Sequence, residues 1–134
     1  MATHNGMKWI AEQLNSIQSQ ERVEVSILVS DDASTDGTFD YLNSVSGVTL
    51  LKERGPYGSA GKNFFNLLLS ADFSEYDYVA FSDQDDVWYP GKLNRAVYYL
   101  EKNGCHGYSA NMTAFWEDGR ERLLDKAQPQ RVVV

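Results

Sequence analysis

Val23-Glu24-Val25-Ser26-Ile27-Leu28-Val29-Ser30, running into Asp31-Asp32, is the stretch that decides the fold. Its apolar residues are mostly β-branched and alternate little with polar ones, the pattern of a parallel strand buried on both faces. Upstream, Ile10, Leu14 and Ile17 keep i, i+4, i+7 spacing after an Asn5-Gly6 turn, which predicts one apolar helical stripe. Downstream, Ser34 or Thr35 is placed to cap a short helix through Tyr41 and Leu42, and Gly47 to Leu51 reads as a second strand. A glycine-bearing loop, Arg54 to Gly61, leads into a helix whose apolar residues Phe64, Phe65, Leu67, Leu68 and Leu69 are expected in the core. Tyr76 to Ser82 reads as another strand, ending at Asp83. Pro90 then fits the first turn of a helix that continues through Leu93, Val97 and Leu100 to an Asn103-Gly104 stop. Gly107 to Trp116 is a further candidate strand, followed by a turn at Glu117-Asp118-Gly119-Arg120.

Strand and helix alternating in this way predict an α/β fold, a three-layer sandwich around a mainly parallel sheet. Both ends read as cut. Only Met1, Ala2 and Thr3 precede the first turn, too few for the opening strand such a sheet wants, and Arg131-Val132-Val133-Val134 reads as the start of a strand.

The bulk numbers limit the options. A chain of 134 residues with 43% hydrophobic and 13% aromatic residues fits one folded domain rather than a disordered segment. The net charge of −7 argues against a nucleic-acid or anionic-membrane partner, either of which calls for a basic face. Cys105 is the single cysteine, so there is no intrachain disulfide and a zinc–thiolate site is implausible. No apolar run approaches the roughly 20 residues of a spanning helix, and the first residues do not look like a signal peptide. The expected location is the cytoplasm, with a peripheral place at the inner face of the membrane as its variant.

The acids are clustered. Asp31, Asp32, Asp36 and Asp40 form one group. Glu75, Asp77, Asp83, Asp85 and Asp86 form another, with no Lys or Arg among them. Both groups follow strands, at the sheet edge where open α/β folds bind ligands, and the two are expected to share one cleft. Like charges gathered there need a cation or a set of donors to offset them. Asp83-Gln84-Asp85-Asp86 suits Mg²⁺ or Mn²⁺, whose shell is completed by water and phosphate oxygens; equally, it is an acidic turn before a helix. Asp31-Asp32 could accept hydrogen bonds from a ribose or a base, or serve as an N-cap and Asx-turn. The loop with Gly55, Gly58 and Gly61 is neither a P-loop nor a dinucleotide fingerprint. Lys62 either reaches a phosphate or faces solvent. Trp88 and Tyr89 are expected to pack under the acidic loop.

Five ordered pieces then carry a resemblance: Ala2 to Gly6, Glu12 to Ile17, Val29 to Thr38, Gly61 to Phe64, and Phe81 to Trp88 leading to Pro90 and Lys92. Together they resemble family 2 glycosyltransferases, inverting enzymes of the GT-A fold, and look closest to bacterial rhamnosyltransferase-like members, over about residues 2 to 100. The resemblance implies sugar transfer from a nucleotide-diphospho-sugar to a saccharide or lipid-linked acceptor, in bacterial cell-surface polysaccharide synthesis. It implies that Thr3 and His4 line the nucleotide pocket and that Asp31 or Asp32 holds the base or ribose, with Lys62 nearby. Asp83 would face the ribose beside Gln84, and Asp85 would bind the divalent metal. Residues 1–134 then form one partial domain, about 1–100 binding the nucleotide-sugar and 101–134 opening the acceptor side. The catalytic base is expected beyond Val134. Glu117, Asp118, Glu121 and Asp125 have suitable chemistry but read as a solvated turn and helix start. Uncovered edges would favour self-association. The alternatives are a non-catalytic nucleotide- or sugar-binding module, or a phosphorylatable receiver domain holding Mg²⁺ between acids.

Overall fold

The computed structural model describes residues 1–126. Residues 1–94 form one compact unit, and the described residues from Arg95 onward belong to a second. The first unit opens with β1 (Ala2–Thr3), α1 (Ile10–Gln18) and β2 (Ile27–Asp31), followed by α2 (Thr38–Ser44), β3 (Val48–Leu50) and α3 (Ala60–Ser70). The three strands form a parallel sheet in the order β1-β2-β3, with Thr3 opposite Asp31 and Val29 opposite Leu50. The fold is therefore α/β around a parallel sheet, as expected.

The layers follow from side-chain alternation along β2. Ile27 and Val29 point to one face and pack with Ile10, Leu14 and Ile17 of α1 and Leu42 of α2. Each of these side chains is nearly or fully buried, and each such burial is worth about 1.5–3 kcal/mol relative to exposure. Ser30 points to the other face, where its hydroxyl accepts a hydrogen bond from Asn66 of α3 (3.0 Å) and its carbonyl one from Asn63 (3.0 Å).

Several sequence expectations are corrected here. The central strand begins at Ile27 rather than Val23. Neither Ser34 nor Thr35 caps α2, whose N-cap is Gly37 at φ +94°. Instead, Asp36 accepts the Thr38 N–H (3.0 Å), while Ser34 donates to Asp31 and Thr35 to Asn5. Tyr76 to Ser82 does not form a strand. Its neighbour β1 is only two residues long, and the segment meets it through one backbone bond, Ala2 N–H to Ser82 O (3.3 Å). The apolar block on α3 is not core throughout. Leu67 is buried, but Phe65, Leu68 and Leu69 are exposed, because apolar residues at nearly every position encircle the helix and one face alone meets the sheet.

Next come α4 (Lys92–Asn103), β4 (Met112–Phe115) and β5 (Glu121–Leu124). Gly104, at φ +59°, follows the last turn of α4, as the Asn103-Gly104 stop predicts. β4 is shorter than the Gly107–Trp116 reading and pairs antiparallel with β5 across a turn at Glu117–Gly119. Glu121 thus lies on a strand. The helix start read at this point is absent, because Thr113 to Phe115 offer its backbone a ladder. The expectation for Arg131 to Val134 lies outside the described residues.

Candidate nucleotide-binding cleft

A cavity of about 580 Å³ opens beyond the carboxyl ends of β1 and β2. Four separate segments line it: Ala2–His4, Asp32–Ala33, the Pro56–Asn63 loop and helix start, and Asp83–Asp85. The two acidic clusters therefore reach one cleft, through Asp32 on one side and Asp83 and Asp85 on the other. Of the residues singled out from sequence, Thr3, His4, Asp32, Asp83, Gln84 and Asp85 line it. Asp31 and Lys62 do not.

Asp31 is put to another use. It is 1% exposed, and its carboxylate is filled from within the fold. Ser34 donates its hydroxyl (2.6 Å) and its N–H (3.0 Å), Thr3 its hydroxyl (3.2 Å), and Arg54 its Nη2 (3.0 Å) and Nε (3.3 Å). A buried charge survives only when paired and hydrogen-bonded, and Asp31 is both. Arg54 also lies over the Phe39 ring, 3.8 Å from its centroid. Asp32 holds the glycine-bearing loop: its carboxylate accepts the Tyr57 N–H and the Gly58 N–H (3.1 Å). Gly55 makes this approach feasible, since a Cβ there would stand 2.1 Å from Asp32 Oδ1.

On the β1 side, His4 Nδ1 lies 2.6 Å from the Asp32 carbonyl, and its Nε2 lies 3.2 Å from Asn5 Nδ2. The carbonyl can only accept and the Asn5 amide nitrogen can only donate, so the ring carries its proton on Nδ1. Ser59 caps α3 by accepting the Lys62 N–H (3.3 Å), leaving Ala60 and Asn63 of its first turn on the cleft wall. Asn63, given no site role by the sequence, is 1% exposed; it donates to the carbonyls of Thr3 (3.2 Å) and Ser30 (3.0 Å), and its Oδ1 has no hydrogen-bond partner among the described residues. Lys62 is exposed.

The acidic turn is held in place by α1 and the residues just past its end. Gln13, fully buried, donates to Ser82 Oγ (2.6 Å) and to the Asp83 carbonyl (3.2 Å). Ser16 Oγ accepts the Trp88 N–H (3.0 Å), and Gln20 donates to the Tyr89 carbonyl (2.8 Å) and accepts the Leu93 N–H (2.9 Å). Trp88 is buried as expected, whereas Tyr89 is 76% exposed and packs under nothing. No hydrogen bond or ion pair among the described residues engages the Asp83, Asp85 or Asp86 carboxylates. Asp83 is exposed as a residue, yet nearby packed atoms partly desolvate its carboxyl. That desolvation first, then repulsion from Asp86 and Asp85, raises its pKa above the ordinary value.

Among the described residues no three His, Cys, Asp or Glu side chains gather into a ready cation cage. The donor set that exists, two open carboxylates at a cleft mouth, suits a hard divalent ion whose remaining ligands are phosphate oxygens and water. Of the four acids considered as bases, Asp118 is taken by Arg120, 2.7 Å away. Among the described residues no helix is long and apolar enough to cross a membrane.

Comparisons with known proteins agree with this architecture. The chain is 45% identical to a protein named dTDP-rhamnosyl transferase RfbG from Shigella flexneri, over 97% of this chain and 47% of that one. It is 29% identical, over 75% of its length and 39% of the relative's, to an Escherichia coli UDP-Glc:alpha-D-GlcNAc-diphosphoundecaprenol beta-1,3-glucosyltransferase, WfaP. The chain thus spans about half or less of the curated relatives it matches. The crystal structure of S. aureus TarS 1-349 superposes with a TM-score of 0.60 at 28% identity, over 87% of this chain and 38% of that one. Residues 1–130 match the family described as glycosyl transferase family 2, and the chain belongs to that family.

Proposed function

We propose that this chain forms the donor-binding part of an inverting sugar-transferring enzyme, and that its cleft takes a nucleoside-diphospho-sugar with Mg²⁺ or Mn²⁺. The observation that carries this reading is the division of labour among the aspartates. Asp31 and Asp32 are consumed by internal donors, whereas Asp83 and Asp85, across the same cleft, take no hydrogen bond or ion pair from the described residues, and the Met1 ammonium offsets Asp83 less than burial and its acidic neighbours oppose it. Repelling carboxylates at a cleft mouth call for a cation. The first turn of α3 supplies the opposite wall, where helix N–H groups favour phosphate oxygens. In this reading Thr3, His4 and Asp32 lie on the nucleoside side. Asp83 and Asp85 lie on the diphosphate side, with Asp85 the metal ligand. Asp31 acts behind the wall, anchoring Arg54 and Ser34.

A bound divalent ion supplies charge neutralisation for a departing diphosphate. The chain's own residues fix the donor: the α3 amides orient the phosphates against the aspartates of the opposite wall. The name of the 45%-identical relative supports a dTDP-linked sugar as donor and rhamnosyl transfer as the reaction. A saccharide or lipid-linked acceptor and a role in cell-surface polysaccharide synthesis follow from the same likeness. Family membership removes the support for the receiver-domain alternative; a non-catalytic binding module would share the same cleft.

The test is thermal unfolding with dTDP and Mn²⁺. At a hundredfold excess over Kd, a ligand specific for the folded state adds about 2.7 kcal/mol, enough to raise the melting temperature by several degrees. Asp85→Asn is expected to abolish the Mn²⁺-dependent part of the rise. An equal rise in wild type and Asp85→Asn would remove the metal assignment.

A further inference from the structure

Gln84 lines the cleft, and its position between two open aspartates suggests a ligand contact. Its hydrogen bonds suggest otherwise. Oε1 accepts the His4 N–H at 2.8 Å, and Nε2 donates to the His4 carbonyl at 2.9 Å. The carboxamide closes a two-bond ring with one residue's backbone, as a neighbouring strand would. The pairing also fixes the amide's orientation, because the flipped form would set N–H against N–H and oxygen against oxygen. His4 lies one residue past the end of β1. The side chain thus takes over where the strand stops.

The other side of this contact is just as constrained. A Cβ on Gly6 would stand 2.3 Å from Gln84 Oε1 and 2.7 Å from Cδ. Gly6 cannot easily retreat: its N–H donates to Thr38 Oγ1 (2.9 Å), and its carbonyl accepts the N–H groups of Trp9 (2.9 Å) and Ile10 (3.0 Å) at the start of α1. Gln13 holds the turn's main chain at Asp83 from within. The turn is therefore fastened at two points by uncharged carboxamides, which leaves its carboxylates out of the fastening.

We propose that Gln84 is a positioning residue, a latch that joins the acidic turn to the end of β1 and so sets the metal-side carboxylates at a fixed distance from the nucleoside side of the cleft. This rests on the donor-binding reading above. The latch makes the two halves of the ligand cooperate: nucleoside contacts at Thr3 and His4 and metal contacts at Asp85 form one rigid unit while it is closed. Gln84→Ala opens it from one side. Gly6→Ala opens it from the other by displacing the carboxamide. Gln84→Glu keeps the size but sets a carboxylate oxygen against the His4 carbonyl and adds charge beside Asp83, Asp85 and Asp86.

The experiment measures dTDP and thymidine affinities by calorimetry, with and without Mn²⁺, for wild type, Gln84→Ala, Gly6→Ala and the double variant. Wild type is expected to bind dTDP at least tenfold more tightly with Mn²⁺. In each single variant that enhancement should fall at least tenfold, with thymidine affinity changed less than threefold. The double variant should lose no more than either single one, since both break the same contact. Exchange of the His4 amide proton with solvent provides a readout independent of ligand: slow in wild type and fast in Gln84→Ala, while the α1 amides stay slow in both and so report that the variant is folded. A wild type that binds no dTDP under either condition removes the donor-binding reading and the latch with it. Full Mn²⁺ enhancement in Gln84→Ala, or fast His4 exchange in wild type, overturns the latch and leaves donor binding standing.

Discussion

Asp32 and Asp85 face one cleft, yet the first is spent on backbone N–H groups and the second on nothing within the described chain. Asp36 shows a third use. Its Oδ1 accepts the Thr38 hydroxyl (2.5 Å) and N–H (3.0 Å), and its Oδ2 accepts the Met7 N–H (2.9 Å), tying the start of α2 to the segment before α1. The Thr38 hydroxyl first, then the Met7 and Thr38 amides, hold this carboxyl below its ordinary pKa of 3.8. A depressed carboxylate contributes stability above its unfolded value and loses it as pH falls through the lower folded value. Asp36→Ala is therefore expected to cost about 1 kcal/mol at pH 7, the usual size for a lost helix-start acceptor, with the difference from wild type shrinking below pH 3.8. Urea titrations of both proteins at neutral pH and in acid measure it. Asp83 has the opposite sign: its raised pKa means that ionisation opposes folding as pH rises past 3.8. Asp83→Asn should thus raise the melting temperature of the ligand-free chain at pH 7 while weakening Mn²⁺-dependent dTDP binding, and a scan with and without ligand separates the two effects.

Among the elements, α1 serves both the core and the acidic turn. Ile10, Leu14 and Ile17 pack against β2, and this stripe was legible because apolar spacing of three and four has few other readings. A polar stripe, Gln13 and Ser16 on α1 and Gln20 two residues past its end, was not legible. Glutamines and serines on a helix usually face water, and the partners here stand about 70 residues away. This stripe does for the 82–93 segment what a sheet ladder does for β2. Gln13→Met keeps the volume but leaves Ser82 Oγ without its donor and the Asp83 carbonyl with the Ser82 hydroxyl (2.9 Å), at an expected cost of about 1–3 kcal/mol by chemical denaturation. Weaker Mn²⁺-dTDP binding should accompany it, because the turn loses its inner fastening. Two misreadings share one cause, a local pattern judged without its neighbours. Tyr76 to Ser82 has strand composition but only a two-residue β1 beside it. Phe65, Leu68 and Leu69 are as apolar as Leu67 but sit on the side of α3 away from β1 and β2. At the cleft, strand ends and acids pointed to Asp32, Asp83 and Asp85, and the family resemblance to Thr3 and His4. The hydrogen bonds of Asn63, Asp31 and Gln84 depend on contacts across the fold that no spacing encodes.

Taken whole, the chain presents two compact units and a length about half that of its 45%-identical relative. Phe65 (68% exposed), Leu68 (40%) and Leu69 (87%) make a neighbouring apolar group on α3, since residues three and four apart share a helix face. Exposed groups of this kind favour association. Isolated at micromolar concentration, the chain is expected to self-associate, and Phe65→Glu with Leu69→Lys should shift it toward monomer by sedimentation velocity without altering the cleft. The bond between His4 and Gln84 also imposes an order in time. It spans 80 positions of sequence, so the nucleoside wall of the cleft is synthesised long before the wall that carries the aspartates. During translation β1, β2 and β3 are complete once Leu50 has emerged, while the cleft stays half-built until the ribosome has released Gln84. The two walls can therefore be joined only from that moment, when the Gln84 carboxamide meets the His4 backbone, which makes completion of the cleft a late event in the life of the nascent chain.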